Sequence, residues 1–471
     1  MPAITSTGIG SGLDINSLVT QLVAAERAPV DKRLTSTDAR LTAQLTAMSS
    51  LKGALSSLQS ALNGLKTSSS FELRKASVAD DSWFGATVTS DAAAGHYDVE
   101  VVQLASAGRI SSTAFSGADA QIGTGTLAID VGSETFTVEI DSEHSTLADI
   151  RDAINSSADN KGVRATLITD QTGAHLVLTG TRTGEANDIA VNAAQSVDSD
   201  ANAGDSLGLS RLFGMAPKDL VKDVAHDAIV KVSGFEIHSD QNTIDGAIDG
   251  VTLVLKKARE SGETTALDIT RDDSGIQGKA QSFVTAFNTL AKQISTLGGY
   301  NAATKTGGPL QGDALLVGIS AQARRIISDP VAGTTGDYRT LASLGITTTA
   351  DGTLQLDAAK FQKALAADPQ SVAQIFGGEN GVAVRLGTYV DARLATSGEI
   401  ATRNANLATN QKDLEKQRDA LEARMQVIQE RYLKQFTALD SLLSQLQSTS
   451  SYLSQQLQGL SQLANSSTAN R

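Results

Sequence analysis

Apolar residues recur every seven positions at both ends of this chain. Near the C-terminus Met425, Tyr432, Leu439, Leu446, Leu453 and Leu460 keep that interval. A companion line of Leu407, Leu414, Leu421, Ile428 and Leu442 lies three or four residues away, later joined by Phe436, Leu443 and Leu457. The spacing predicts one helix from about Thr402 to Leu463 with a coiled-coil seam. At roughly 60 residues it would be about 90 Å long. Near the N-terminus Leu34, Leu41, Met48, Leu55 and Leu62 follow the same rule, with Leu51, Leu58 and Leu65 three residues on. They predict a second heptad helix from about Asp31 to Lys66. Ahead of it, Asp14 can cap a short helix with Ile15, Leu18, Val19 and Leu22 on one face. Pro29 is expected to interrupt that helix near Ala28, because the residue before proline avoids the helical region.

After Thr67–Ser70 the period changes from helical to alternating. Gly85–Ser90 and Tyr97–Leu104 read as strands. A compact unit follows: strands Thr126–Val131 and Glu134–Ile140 about the turn Gly132-Ser133, a Thr146-capped helix with Leu147, Ile150 and Ile154 inward, then strands Val163–Thr169 and His175–Thr179. Caps, turns and periods agree in this β-β-α-β-β module. Residues 193–222 are expected at its far edge. Strands resume at Ala228–Val232, Phe235–His238, Val251–Lys257 and Thr265–Thr270, expected to form an inner β domain with the strands of 85–104.

Helical spacing returns after Ser274, read as a cap, through Ile276, Phe283, Phe287, Leu290, Ile294 and Leu297 to the stop at Gly298-Gly299. Asp313 opens another helix, Ile346–Leu356 reads as a hairpin about Asp351-Gly352, and Asp368-Pro369 is a cap followed by proline at the first helical position. The fold class is therefore α+β multidomain: a long helical coiled-coil stalk from both chain ends, with two β-rich domains inserted between them. The expected divisions are 1–40 and 435–471 as terminal assembly helices, disordered in a monomer; 41–75 and 274–434 as the stalk; 76–111 and 223–273 as the inner β domain; 112–222 as the outer β-rich domain.

Charge sharpens this picture. Between Arg403 and Lys434 there are seven basic and five acidic residues, whereas from Gln435 to Asn470 the only charge is Asp440. Between Leu41 and Phe71 the only charges are Lys52 and Lys66. An intramolecular helical hairpin accounts for the middle of the seams but not for their uncharged ends, which nothing keeps apart from other chains. The net charge of −13 over 471 residues argues against nucleic acid as a partner. With no cysteine, disulfides and thiolate chemistry are excluded. No run approaches 18 apolar residues, so no membrane insertion is expected, and the start lacks the pattern of a cleaved secretory signal.

Catalytic patterns are weak, and the chain reads as a non-enzyme without cofactors or metal. Gly8–Gly12 resembles a phosphate loop, but no strand precedes it and no Walker lysine follows. Ser49–Lys52 fits S-x-x-K only within the heptads. His96, His144, His175, His226 and His238 include no zinc-type pair, and His226-Asp227 and His238–Asp240 read better as solvated strand residues than as metal ligands. Asp141–Glu143 and Asp198–Asp200 miss the calcium-loop pattern.

A family resemblance runs through nearly the whole chain in order. Gly8-Ile-Gly-Ser-Gly-Leu-Asp-Ile15, with Leu18-Val19, Leu22, Ala25-Glu26 and Pro29, resembles the start of the bacterial flagellar filament-capping (hook-associated protein 2) family. Thr126–Asn187 is similar to the module shared by flagellins and hook-associated proteins. Asn242–Leu255, Phe283–Asn288, Gly308–Asp313, Leu341–Thr347 and Tyr432–Leu457 resemble that family's C-terminal region. The resemblance implies a secreted structural cap at the distal tip of the flagellar filament, promoting flagellin polymerisation and preventing loss of exported flagellin. Implied partners are further copies of itself in a ring-like, pentamer-like homo-oligomer, flagellin, and a flagellar export chaperone. The assembly residues would be the two seams and the Ile15–Leu22 face. The alternatives are another flagellar axial or junction protein, or a stalked secreted adhesin; cell adhesion is also compatible with a tip location.

Overall fold

The computed structural model describes residues 14–192, 195–199, 208–213, 221–259 and 262–468. The expected loop Gly8–Gly12 and much of 193–222 lie outside them. The chain is α+β and divides into two compact units, Met1–Ser70 with Gln277–Arg471, and Phe71–Ile276.

The first unit is helical. Helix Ile15–Asn63 starts on Asp14, whose carboxylate accepts the Ser17 N–H at 3.0 Å. It runs unbroken through Pro29, so the expected interruption is absent. A mid-helix proline forfeits one backbone hydrogen bond and costs about 3 kcal/mol. Packing offsets this: Ile15 and Val19 before it, and Leu34 and Leu41 after it, are all buried. The last helix spans Glu399–Thr468. Shorter helices close the base, namely Gln277 onward of Asp273–Gly298, then Ala314–Ser328, Ala358–Ala367, Pro369–Gly377 and Val382–Leu394. Asp313, Asp357 and Asp368 cap three of them. Phe283, Phe361 and Phe376 meet edge-on in their core, with centroids 6.2 and 6.4 Å apart.

The second unit is β-rich, with two cores. The inner module carries a five-stranded antiparallel sheet in the order Arg74–Val78, Thr265–Arg271, Gly95–Gln103, Ala228–Val232, Phe235–Ser239. A three-stranded sheet of Thr243–Ile248, Val251–Leu255 and Phe84–Val88 completes it. Phe84, Val99, Val101, Val230, Leu253 and Leu267 fill the space between. Ser233 and Gly234 both have positive φ, 48° and 89°, as a two-residue primed turn requires.

The outer module holds the expected β-β-α-β-β run: Gly125–Val131, Glu134–Ile140, helix Leu147–Ser156, Val163–Thr169 and Ala174–Gly180. Thr146 and Asp149 form a full capping box. Short strands absent from the sequence reading extend its sheets: Arg109–Ser111 and Val221–Asp223 on one, Ile189–Val191 and Val197–Asp198 on the other. In the former far-edge segment, Leu209, Leu212 and Phe213 join this core. The helix expected from a Ser274 cap begins instead at Asp273, where Asp272 accepts the Gly275 N–H at 2.9 Å.

Candidate assembly surface

Three cross-helix pairs set the register of the first unit. Arg418 donates to Asp38 at 3.0 Å, Arg27 pairs with Glu422 at 2.7 Å, and the Tyr432 hydroxyl donates to Glu26 at 3.3 Å. The first and last helices therefore run antiparallel. Asp31, through a hydrogen bond and charge, and then Glu422 raise the Arg27 pKa. At the base, the Asp391 carboxylate accepts Gln59 Nε2 at 2.6 Å and Lys66 Nζ at 3.1 Å. Burial alone would push its pKa up, but these two donors outweigh it and hold it below the usual value.

This pairing consumes one set of heptad positions. Leu34, Leu41, Met48 and Leu55 are buried from one side, and Leu407, Leu414, Leu421, Met425 and Ile428 from the other, while Leu62, past the start of the last helix, is buried near Asp391 of Val382–Leu394. Ile15 and Val19 are buried too, whereas Leu18 and Leu22 on the neighbouring face are exposed. Tyr432 is half-buried.

The cover then stops. Extending the register places Ile15 level with the turn around Leu442, and the last helix continues about 26 residues, or about 39 Å, to Thr468. Leu439, Leu446, Leu453 and Leu460 are 50–61 % exposed, and Leu442, Tyr452 and Leu457 stand open beside them. Only Asp440 is charged there. Such a contiguous apolar strip on a nearly uncharged stretch of helix marks an interaction surface. Of the seam residues named from sequence, the structure thus gathers those up to Met425 into one chain's interior and leaves the last four leucines uncovered.

The remaining chemistry is structural. His96 Nδ1 lies 2.7 Å from Asp268, and His238 Nε2 lies 3.1 Å from Glu236. His175 Nδ1 is 2.9 Å from the Ser112 carbonyl. The Asp227 carboxylate accepts the Glu185 N–H. No group of three or more His, Cys, Asp or Glu among the described residues is placed to hold a metal, and no described helix is long and apolar enough to cross a membrane.

Helices from both chain ends, bracketing β modules and leaving a leucine row open, define a structural assembly protein. Comparison with known proteins makes this specific. The family model for the flagellar hook-associated protein 2 C-terminus matches residues 225–448, that for its N-terminus matches 11–108, and the flagellin hook IN motif matches 126–182. The A-type flagellar hook-associated protein 2 of Pseudomonas aeruginosa is 34% identical over 97% of this chain and 98% of its own. The flagellar hook-associated protein 2 of Escherichia coli (strain K12) is 31% identical over 97% and 99%. The crystal structure of the flagellar cap protein FliD D1-D2-D3 domains from Escherichia coli, 29% identical, matches with a TM-score of 0.59 over 77% of this chain and 99% of that one. The chain belongs to the flagellar hook-associated protein 2 family, the filament cap proteins.

Proposed function

We propose that this protein sits at the distal tip of the flagellar filament as a ring-like, pentamer-like homo-oligomer. There it promotes flagellin polymerisation and prevents the loss of exported flagellin, by mechanical rather than enzymatic means. One observation carries the reading: the leucine row Leu439–Leu460 stands exposed, with no cover among the described residues and only Asp440 as a charge to hold other helices away. In this view the leucine row is buried only against neighbouring chains, and a flagellar export chaperone shields the same strip before secretion.

The test is Leu446→Ser with Leu453→Ser. Full burial of each leucine is worth roughly 1.5–3 kcal/mol, and here it would come only in the assembly. The isolated protein should unfold at an unchanged urea concentration, while cells carrying the variant release flagellin into the medium and grow short filaments. Filaments of ordinary length with no released flagellin would contradict the proposal.

A further inference from the structure

The two β modules of the second unit are joined by more than the chain that runs between them. The loop after strand Ala174–Gly180 leaves the outer module and settles on the inner one. Thr183 Oγ1 donates to the Asp240 carbonyl at 2.5 Å, and the Glu185 N–H donates to Asp227 Oδ1 at 2.7 Å. Between them, the Gly184 N–H donates to the Ser106 carbonyl at 3.2 Å. Ser106 and His226 exchange both backbone hydrogen bonds, at 2.9 and 3.1 Å. Asp188 ends the loop by accepting the Ala225 N–H at 3.0 Å and pairing with Lys222 at 3.0 Å.

Gly184 has no substitute at this point. Its φ is +98°, and it is buried. A Cβ there would lie 2.6 Å from the Asp240 Cβ and 2.9 Å from Asp227 Oδ1. Both the backbone conformation and the closeness of the two aspartates therefore demand glycine. Three consecutive residues each spend a donor on the other side of the junction. A flexible linker makes no such contacts.

We infer that loop Thr181–Asp188 is a buckle that fastens the outer β module to the inner one, so that the two unfold and reorient as a single body, with Gly184 as its positioning residue. The coupling works in both directions. Loss of the outer core withdraws three donors from Ser106, Asp227 and Asp240, and loss of the inner core removes their acceptors.

The molecule supplies a separate probe for each module. Trp83, the only tryptophan of the chain, packs against the inner core. His144 and His175 both lie in the outer module. Urea unfolding of the full-length protein is followed by Trp83 fluorescence and by the imidazole proton signals of those two histidines. The two curves should coincide in the wild type, and Ile150→Val in the outer core should move both together. In Gly184→Val the midpoints should part by roughly 0.5–1 M urea, and Ile150→Val should then shift the histidine curve alone. Thr183→Val removes one hydrogen bond without the steric conflict and should give a smaller separation, which serves if Gly184→Val does not fold. Separate transitions in the wild type would overturn the inference. So would coincident curves in Thr183→Val together with either coincident curves or failure to fold in Gly184→Val.

Discussion

Asp170 shows how far a single side chain can shape its surroundings from the surface. It sits in the turn between Val163–Thr169 and Ala174–Gly180, where Oδ1 accepts the Thr172 hydroxyl at 2.5 Å and the N–H groups of Thr172 and Gly173 at 2.7 and 3.2 Å. These bonds, the Thr172 hydroxyl foremost, lower its pKa to about 2. The folded value lies below the unfolded value of about 3.9, so the contribution of the turn is whole above about pH 4 and is lost as pH falls through about 2. Carboxyl-carbon titration by NMR should find an Asp170 midpoint near 2, and Asp170→Asn should remove this part of the acid dependence of unfolding. A midpoint at or above 3.8 would show that the bonds are not kept in solution. The residues legible in sequence were those that obey a period, such as Leu55 and Leu421. Why position 184 must be glycine was not legible, because that requirement comes from Asp240, bonded to Thr183 across 57 residues of chain.

Among the elements, the β-β-α-β-β run was readable because Thr146, Gly132-Ser133 and the alternating strands all point to one arrangement. Arg74–Val78 was missed because RKASV offers little apolar alternation. Thr243–Ile248 was missed because Asp245-Gly246 reads as a turn, yet the register shifts there within a paired strand. Pro29 was misread for another reason: local preference predicts a break, but burial on both sides of the proline overrides it. Pro29→Ala should therefore restore a backbone hydrogen bond and stabilise the isolated protein by about 1–3 kcal/mol, read from urea unfolding at the helical circular dichroism band. A loss of stability would mean that the packing of the helix depends on the proline. The uncovered end of the last helix was legible from its missing charges. How much of the seam a single chain buries was not, because that depends on where the partner helix starts.

At the scale of the molecule, the outer module is an insertion whose ends are pinned together by the Ser106–His226 bridge. Strand Arg109–Ser111 pairs within that module, so an excision point at residue 112 would strand it. Replacing residues 108–224 with a short Gly/Ser bridge should leave the helical unit and the inner module folded, since the cost of loop closure changes slowly with length. The helical circular dichroism signal should persist, and stability should fall by no more than about 1–2 kcal/mol, the range of a typical single substitution. Collapse of the helical signal would show that the insertion supports the helices.

The antiparallel pairing of the first and last helices also governs when the molecule can be finished. Asp38 meets Arg418 and Glu26 meets Tyr432 across 380 and 406 residues of chain. Contacts of such separation form late and slowly. During synthesis the β modules can fold as soon as they emerge, but the apolar face of Leu34, Leu41 and Met48 waits until Leu407–Ile428 have left the ribosome. Anything that grips the final helix in that interval holds the whole helical unit open, so the C-terminal segment acts as the closing step of folding as well as a place of contact.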